Sequence, residues 1–147
     1  MNPLLERFKN KLNISFSMLI ETYTKRMEGF LYFLFRLLIG LMFVAHGVPK
    51  LPGLVGDAPG YFMGLASLFE VVGGLAIATG FFVRLAALGD TIEMIVAYFM
   101  VHAPQGLSPL ANGGELALLY LSAFLVLLIH GAGKYSLERA VLGKEIF

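Results

Sequence analysis

Four apolar stretches, covering residues 30–45, 61–82, 85–101 and 116–129, govern what this chain can fold into. A helix needs roughly 20 apolar residues to cross the ~30 Å hydrocarbon core of a bilayer. The second stretch has that length, and flanking residues can extend each of the others by a turn. The breakers fall between them: Pro49, Pro52, Gly53, Gly56, Pro59 and Gly60, then Gly80, then Pro104, Gly106, Pro109 and Gly113. Of the 147 residues, 58% are hydrophobic and 14% charged, and the mean hydropathy is +0.79. Soluble chains carry about 25% charge, and a small soluble domain hides only about two-thirds of the surface it exposes when unfolded. The bilayer is therefore the expected solvent.

Several classes drop out. A net charge of +1 offers no bulk field for nucleic acid. The absence of cysteine rules out disulfides, thiol redox chemistry and thiolate metal sites. No Walker-type loop, nucleophile elbow or dinucleotide fingerprint occurs. The first strongly apolar run starts near Phe30 and contains Arg36, so no cleavable leader is expected.

Ahead of the first stretch, Leu4, Phe8, Leu12, Phe16, Leu19, Ile20, Tyr23 and Met27 recur at helical spacing, with Glu6, Lys9, Asn10, Asn13, Ser17, Glu21 and Lys25 between them. This predicts an amphipathic helix over residues 1–28, lying on the membrane surface or packed on a partner protein. Basic residues set the orientation. Arg7, Lys9, Lys11, Lys25, Arg26, Arg84, Lys134, Arg139 and Lys144 fall on one side of the spans and Lys50 alone on the other. The positive-inside rule then makes both termini cytoplasmic in a plasma membrane of bacterial type. The expected fold is all-α: a transmembrane four-helix up-down bundle over 29–138, with the amphipathic surface helix before it and a cytoplasmic tail over 139–147.

Small residues mark the packing faces: Ala66, Glu70, Gly74 and Ala78 on the second span, Ala86, Asp90, Glu93 and Ala97 on the third, Arg36, Gly40 and Gly47 on the first. The ionisable residues share those faces. Each costs about 2.5–3.5 kcal/mol at the bilayer centre on insertion scales. The spacing thus predicts an intramembrane polar cluster, with Arg36 as cation and Glu70, Asp90 and Glu93 as candidate anions. With three carboxyls against one cation, at least one carboxyl is expected to hold a proton. Such a cluster can fix helix register, or it can carry protons or hold a quinone headgroup.

At the outer ends, His46, Lys50, His102 and Glu115 could converge on a quinone carbonyl or a partner subunit, or each could sit half-solvated at headgroup level. They come from three segments with no tight ligand spacing, and no metal site is expected. His130 and Lys134 suit the last span's C-terminal end.

Four motifs resemble the DoxX/DoxD family. Arg36 through Gly40 to His46-Gly47-Val48-Pro49-Lys50-Leu51 is similar to its R…G…h-G-x-x-K-l pattern. Glu70-Val71-Val72-Gly73-Gly74, followed by Gly80 and Arg84-Leu85-Ala86, is similar to E-x-x-G-G…G-x-x-x-R-x-A. Gly113-Gly114-Glu115 resembles the G-x-E that opens the family's last span. Gly131-Ala132-Gly133-Lys134-Tyr135-Ser136-Leu137-Glu138 resembles its terminal G-x-G-x-x-S-L-D, with Glu138 where Asp is more common. The resemblance covers roughly residues 30–138 and implies a four-helix membrane fold. It also implies a link to respiratory or sulfur redox, as in small subunits of thiosulfate:quinone oxidoreductase or quinol oxidase systems. The expected function is a membrane subunit of a quinone-linked oxidoreductase, binding quinone or relaying protons. The alternative is a non-enzymatic scaffold, assembly factor or small transporter. No redox cofactor is encoded, because a haem would need axial histidines facing each other at depth. Quinone is the candidate ligand. Membrane lipids and a redox subunit or a second copy are the expected partners.

Overall fold

The computed structural model describes residues 3–55 and 60–146, and the side chains of 3–10 and 12–15 lie outside that description. The loop breakers Gly56 and Pro59 are outside it as well. The described residues form helices and no strand.

Helix α1 runs unbroken through 45 residues, Pro3–Gly47, about 68 Å at 1.5 Å per residue. The amphipathic segment and the first apolar stretch are therefore one helix, with no break at the 28/29 boundary. Between Leu4 and Glu28 there is neither a proline nor a glycine to turn the chain. The helix group begins at Gly29, against which the side chains of Lys134 and Tyr135 pack. Residues 16–28, before it, are exposed.

A 3-10 helix, Val48–Val55, leads to α2, Gly60–Thr79. Helix α3, Val83–Ala97, continues through a π turn, Tyr98–His102, into a 3-10 turn, Ala103–Gln105. Helix α4 is Glu115–His130 and the short α5 is Leu137–Leu142. Among the described residues three helical stretches, Phe16–Val55, Gly60–Thr79 and Val83–Gln105, are long and apolar enough to cross a membrane. Helix α4 has 16 residues, about 24 Å, and is not lengthened by its flanks as the sequence predicts, because Gly114 and Gly131 bound it.

Helix α1 packs chiefly on α2, and α3 on α4. The α1–α2 seam is glycine on glycine. Gly40 meets Gly74 and Ala78, and Gly47 meets Ser67 and Glu70. Without side chains the two backbones approach closely, the main source of helix association in lipid. Phe43, Ile77, Val83, Ala87, Phe124 and Leu127 fill the centre.

Helix α2 closes in a Schellman motif. Gly80 takes φ +77°, its N–H reaches Ile77 O (3.2 Å), and Phe81 N–H reaches Ala76 O (2.9 Å). Only glycine adopts this left-handed conformation without strain. At the same end, Ser136 caps α5 by accepting from Arg139 N–H. The tail folds back: Glu145 accepts from Ala132 N–H (2.7 Å) and from the Arg139 guanidinium (3.0 Å).

Burial pushes the Glu145 carboxyl up. The Ala132 and Arg139 hydrogen bonds, with the charges of Arg84 and Arg139, outweigh it and leave the group below its ordinary 4.5. A carboxyl depressed in the folded state stabilises above its unfolded value, and that stabilisation is lost as pH falls through the folded one. The tail is thus expected to stay docked at neutral pH and to release only in acid below the ordinary glutamate range. The protection factor of the Ala132 amide, falling in acid in wild type and low throughout in Glu145→Gln, checks this.

Candidate functional site

Helix α2 turns Ser67, Glu70, Gly73, Gly74 and Ile77 inward, and α3 turns Val83, Ala87, Asp90, Thr91 and Met94. These are the 3–4-residue rows of one helix face. Two of the acids, Asp90 and Glu70, have seats made by a glycine. Asp90 lies over Gly73, where a methyl group would strike its carboxylate oxygens. Glu70 lies over Gly47, where a methyl would come within 2.8 Å of its Cβ. From the 3-10 helix Lys50 reaches in and forms an ion pair with Glu70.

Glu70, Asp90 and Glu93 interact electrostatically with one another, and Lys50 with Glu93. Asp90 is 1% exposed and Glu70 5%. Each of the three acids keeps one buried oxygen with no hydrogen-bond partner: Glu70 Oε2, Asp90 Oδ2 and Glu93 Oε2. Unpaired buried polar atoms are costly. Three in one place mark the group as a candidate for binding protons or a polar ligand.

The structure corrects the cation of this cluster. Arg36 is fully buried, but it does not face the carboxylates. Its guanidinium donates to Ile77 O (2.5 Å), Ala78 O (3.3 Å) and Tyr135 O (2.7 Å), and lies 5.7 Å from the Phe33 ring. It sits 11 residues before Gly47, about 16 Å along α1. The C-terminal end of α2 carries a partial negative charge and carbonyls with lone pairs to spare, so its backbone takes the place of a carboxylate as the acceptor for this cation. Lys50, expected at the outer face, takes Arg36's place beside Glu70.

The other residues expected at the outer face go to separate contacts. The exposed His46 ring lies edge-on to Tyr120 at 5.7 Å. His102 Nδ1 lies 3.1 Å from Asn112 O. Glu115 is exposed and lines a shallow cavity with Pro109, Leu110, Gly113, Leu116 and Leu119. Among the described residues no three His, Cys, Asp or Glu side chains are grouped to hold a metal. His130 turns back on its own helix, with Nδ1 3.0 Å from Val126 O.

Two residues escape a reading of the sequence. Asn112 ties the loop before α4, donating to Gly106 O (2.7 Å) and accepting from Gly114 N–H (2.8 Å). Tyr120, in the middle of α4, is 5% exposed, and its buried hydroxyl has no partner. A lone phenol in a leucine-rich helix is the signal that would have found it.

The chain matches the DoxX family over residues 31–103. It is 38% identical over 128 residues to an uncharacterized protein of Haemophilus influenzae, covering 92% of that protein and 78% of this chain. The chain belongs to the DoxX family. A second relative, the inner membrane protein YqjF of Escherichia coli, is 30% identical over 125 residues, covering 95% of its length and 78% of this chain. No solved structure matches. The DoxX match contains Arg36, Lys50, Glu70, Asp90 and Glu93 but stops before Tyr120 and the tail. The glycines that seat the acids, Gly47 and Gly73, lie inside it.

Proposed function

We propose that this DoxX protein is a multi-pass inner-membrane subunit that crosses the bilayer four times as an up-down bundle, with both termini cytoplasmic. Its Glu70–Asp90–Glu93 cluster, with Lys50, exchanges protons beside a quinone headgroup on behalf of a partner redox subunit. Lipids surround it. The observation that carries this reading is the set of three buried carboxyl oxygens left without partners, one of them on the Glu70 that pairs with Lys50. In lipid, intramembrane acids turned toward the protein interior mark proton or ligand pathways. The name of the Escherichia coli relative supports the location. The basic residues Arg26, Arg84, Lys134 and Arg139 support the orientation.

The donor set fits a quinone. Glu70 Oε2 can accept from a headgroup hydroxyl, and the Tyr120 hydroxyl can donate to a headgroup carbonyl. A quinone, when bound, supplies two-electron, two-proton redox chemistry, with the partner subunit carrying the electrons. The chain's own residues hold the protons. Lys50 orients Glu70 through their ion pair, and Gly47 and Gly73 let the acids sit against the helix backbones.

The Glu70→Gln variant tests this. In reconstituted wild type, infrared difference spectra across a pH step should show an intramembrane carboxyl changing protonation. The variant should lose that band and at least about fivefold of the co-purifying quinone, about 1 kcal/mol of binding. A wild type with neither a titrating carboxyl nor bound quinone overturns the proposal.

A scaffold or assembly role is the second reading. It is favoured by the exposed part of α1, where Phe16, Leu19, Tyr23 and Met27 are all exposed on one side. A stable co-purifying partner or second copy, with no quinone, would establish it.

A further inference from the structure

Where α4 stops and α3 begins, a carboxylate sits in a cradle of donors. The Ala132 N–H, in the turn after α4, donates to Glu145 Oε1 (2.7 Å), and the Arg139 guanidinium on α5 donates to Oε2 (3.0 Å). Arg84, in the first turn of α3, closes the third side. A Cβ built on Gly131 would strike Glu145 Oε1 and lie 3.0 Å from Arg84 Nε. The missing side chain of Gly131 therefore leaves room for the carboxylate and the guanidinium together. Gly131 and Ala132 are buried, while Arg84 and Arg139 are exposed. The cradle thus has a backbone floor and an open basic rim.

Glu145 fills this cradle only in part. A carboxylate has two oxygens, and Ala132 and Arg139 take one each. Arg84 donates instead to Ile129 O at 3.3 Å, beyond the usual N–H···O range of about 2.7–3.2 Å. A tetrahedral phosphate carries a third oxygen for Arg84, and guanidinium forks match its geometry. The other acid at this end, Glu138, is fully buried, and its Oε1 accepts from Ile146 N–H (3.0 Å). The tail is therefore a strap with two attachments, turning back at Gly143, where φ is +70°. The Arg139 side chain of the Glu145 ion pair is 48% exposed, and a pair so open to water adds little stability. An outside anion can displace it.

Exposed apolar side chains flank the cradle: Leu85 next to Arg84, Ile129 at the end of α4, and Val141 on α5. In a bilayer such side chains meet acyl chains, and basic pockets bordering them receive lipid headgroups.

We propose that Ala132 N–H, Arg84 and Arg139 form a binding site for a phosphate group, on a lipid headgroup or free, and that Glu145 is its tethered stand-in, which lifts when the ligand enters. The site is separate from the carboxyl cluster and does not depend on the proton role.

Titration of the detergent-purified full chain with dioctanoyl phosphatidylglycerol, and separately with inorganic phosphate, tests it. Glu145→Gln should bind the lipid about tenfold more tightly than wild type, because a competitor tethered at millimolar effective concentration has lost its charge. Glu145→Ala should do the same. Adding Arg84→Gln to either variant should weaken binding about tenfold, the loss of one charge-assisted bond. Adding Lys134→Gln, which removes an exposed charge outside the cradle, should change it less than about twofold. Inorganic phosphate that follows the same order shows that the free anion suffices. Lipid binding in that order, with no response to phosphate, assigns the site to a headgroup. Equal affinity of wild type and both Glu145 variants for both probes overturns the proposal. So does a loss in Lys134→Gln as large as in Arg84→Gln, the mark of unspecific attraction. One readout needs no variant: a saturating ligand should lower hydrogen-exchange protection of the wild-type Ile146 amide as the strap lifts. Unchanged protection at saturation overturns the proposal as well.

Discussion

Arg36→Met is expected to destabilise the protein more than any other single change within the helix group. The guanidinium ties the end of α2 to the segment after α4 through Ile77 O, Ala78 O and Tyr135 O. A methionine fills much of the space and donates nothing. Ala78 O and Tyr135 O lose this donor at about 1–3 kcal/mol each and Ile77 O keeps only the Gly80 N–H, partly offset because a buried cation no longer has to be desolvated, for a net loss on the order of 3 kcal/mol. Lysine keeps the charge, but a single ammonium cannot fork across two helix ends, so Arg36→Lys should recover only part of the loss. Unfolding in mixed micelles, with the three proteins ordered wild type, Lys, Met, is the measurement. A methionine variant as stable as wild type would show that the guanidinium's three bonds contribute nothing net.

Gly40→Ala is the second large effect. A Cβ at Gly40 would lie 2.5 Å from both the Ala78 amide nitrogen and the Gly74 carbonyl oxygen. Both are backbone atoms of α2 and cannot swing aside. One methyl group must therefore push α1 off α2 along their tightest line of approach. Overpacking of this kind costs about 1–3 kcal/mol, and the damage should reach Glu70, because Gly47, two turns on, holds the same seam. The neighbouring Leu41 points outward at 49% exposure, and Leu41→Ala should change stability by less than about 0.5 kcal/mol. Melting temperatures in detergent for the two variants, with the alanine at 40 far the lower, check the contrast.

The helical segments, their breakers and the inward turn of Glu70 and Asp90 were legible in the sequence. Charge is expensive in lipid and small residues mark contact faces, so spacing alone places these acids on interior faces. The partner of Arg36 was not legible. Sequence shows which side chains carry charge, but not which backbone carbonyls a turn leaves open. The Gly80 turn and Tyr135, 99 positions away from Arg36, supply acceptors that no spacing rule names. The joining of the amphipathic segment to the first span was missed for a related reason. Periodicity detects a change of environment near residue 28, and a helix can cross such a boundary without ending. Tyr120 was hidden because nothing in α4's own sequence tells that its hydroxyl lies within reach of Glu70 on α2.

The acceptors of Arg36 are made at different times. Ile77 and Ala78 leave the ribosome about forty residues after the arginine, and Tyr135 about a hundred. Until then the guanidinium keeps part of its fork unanswered. A chain truncated before Tyr135, or one whose last span failed to insert, would keep that open charge as a mark of incompletion.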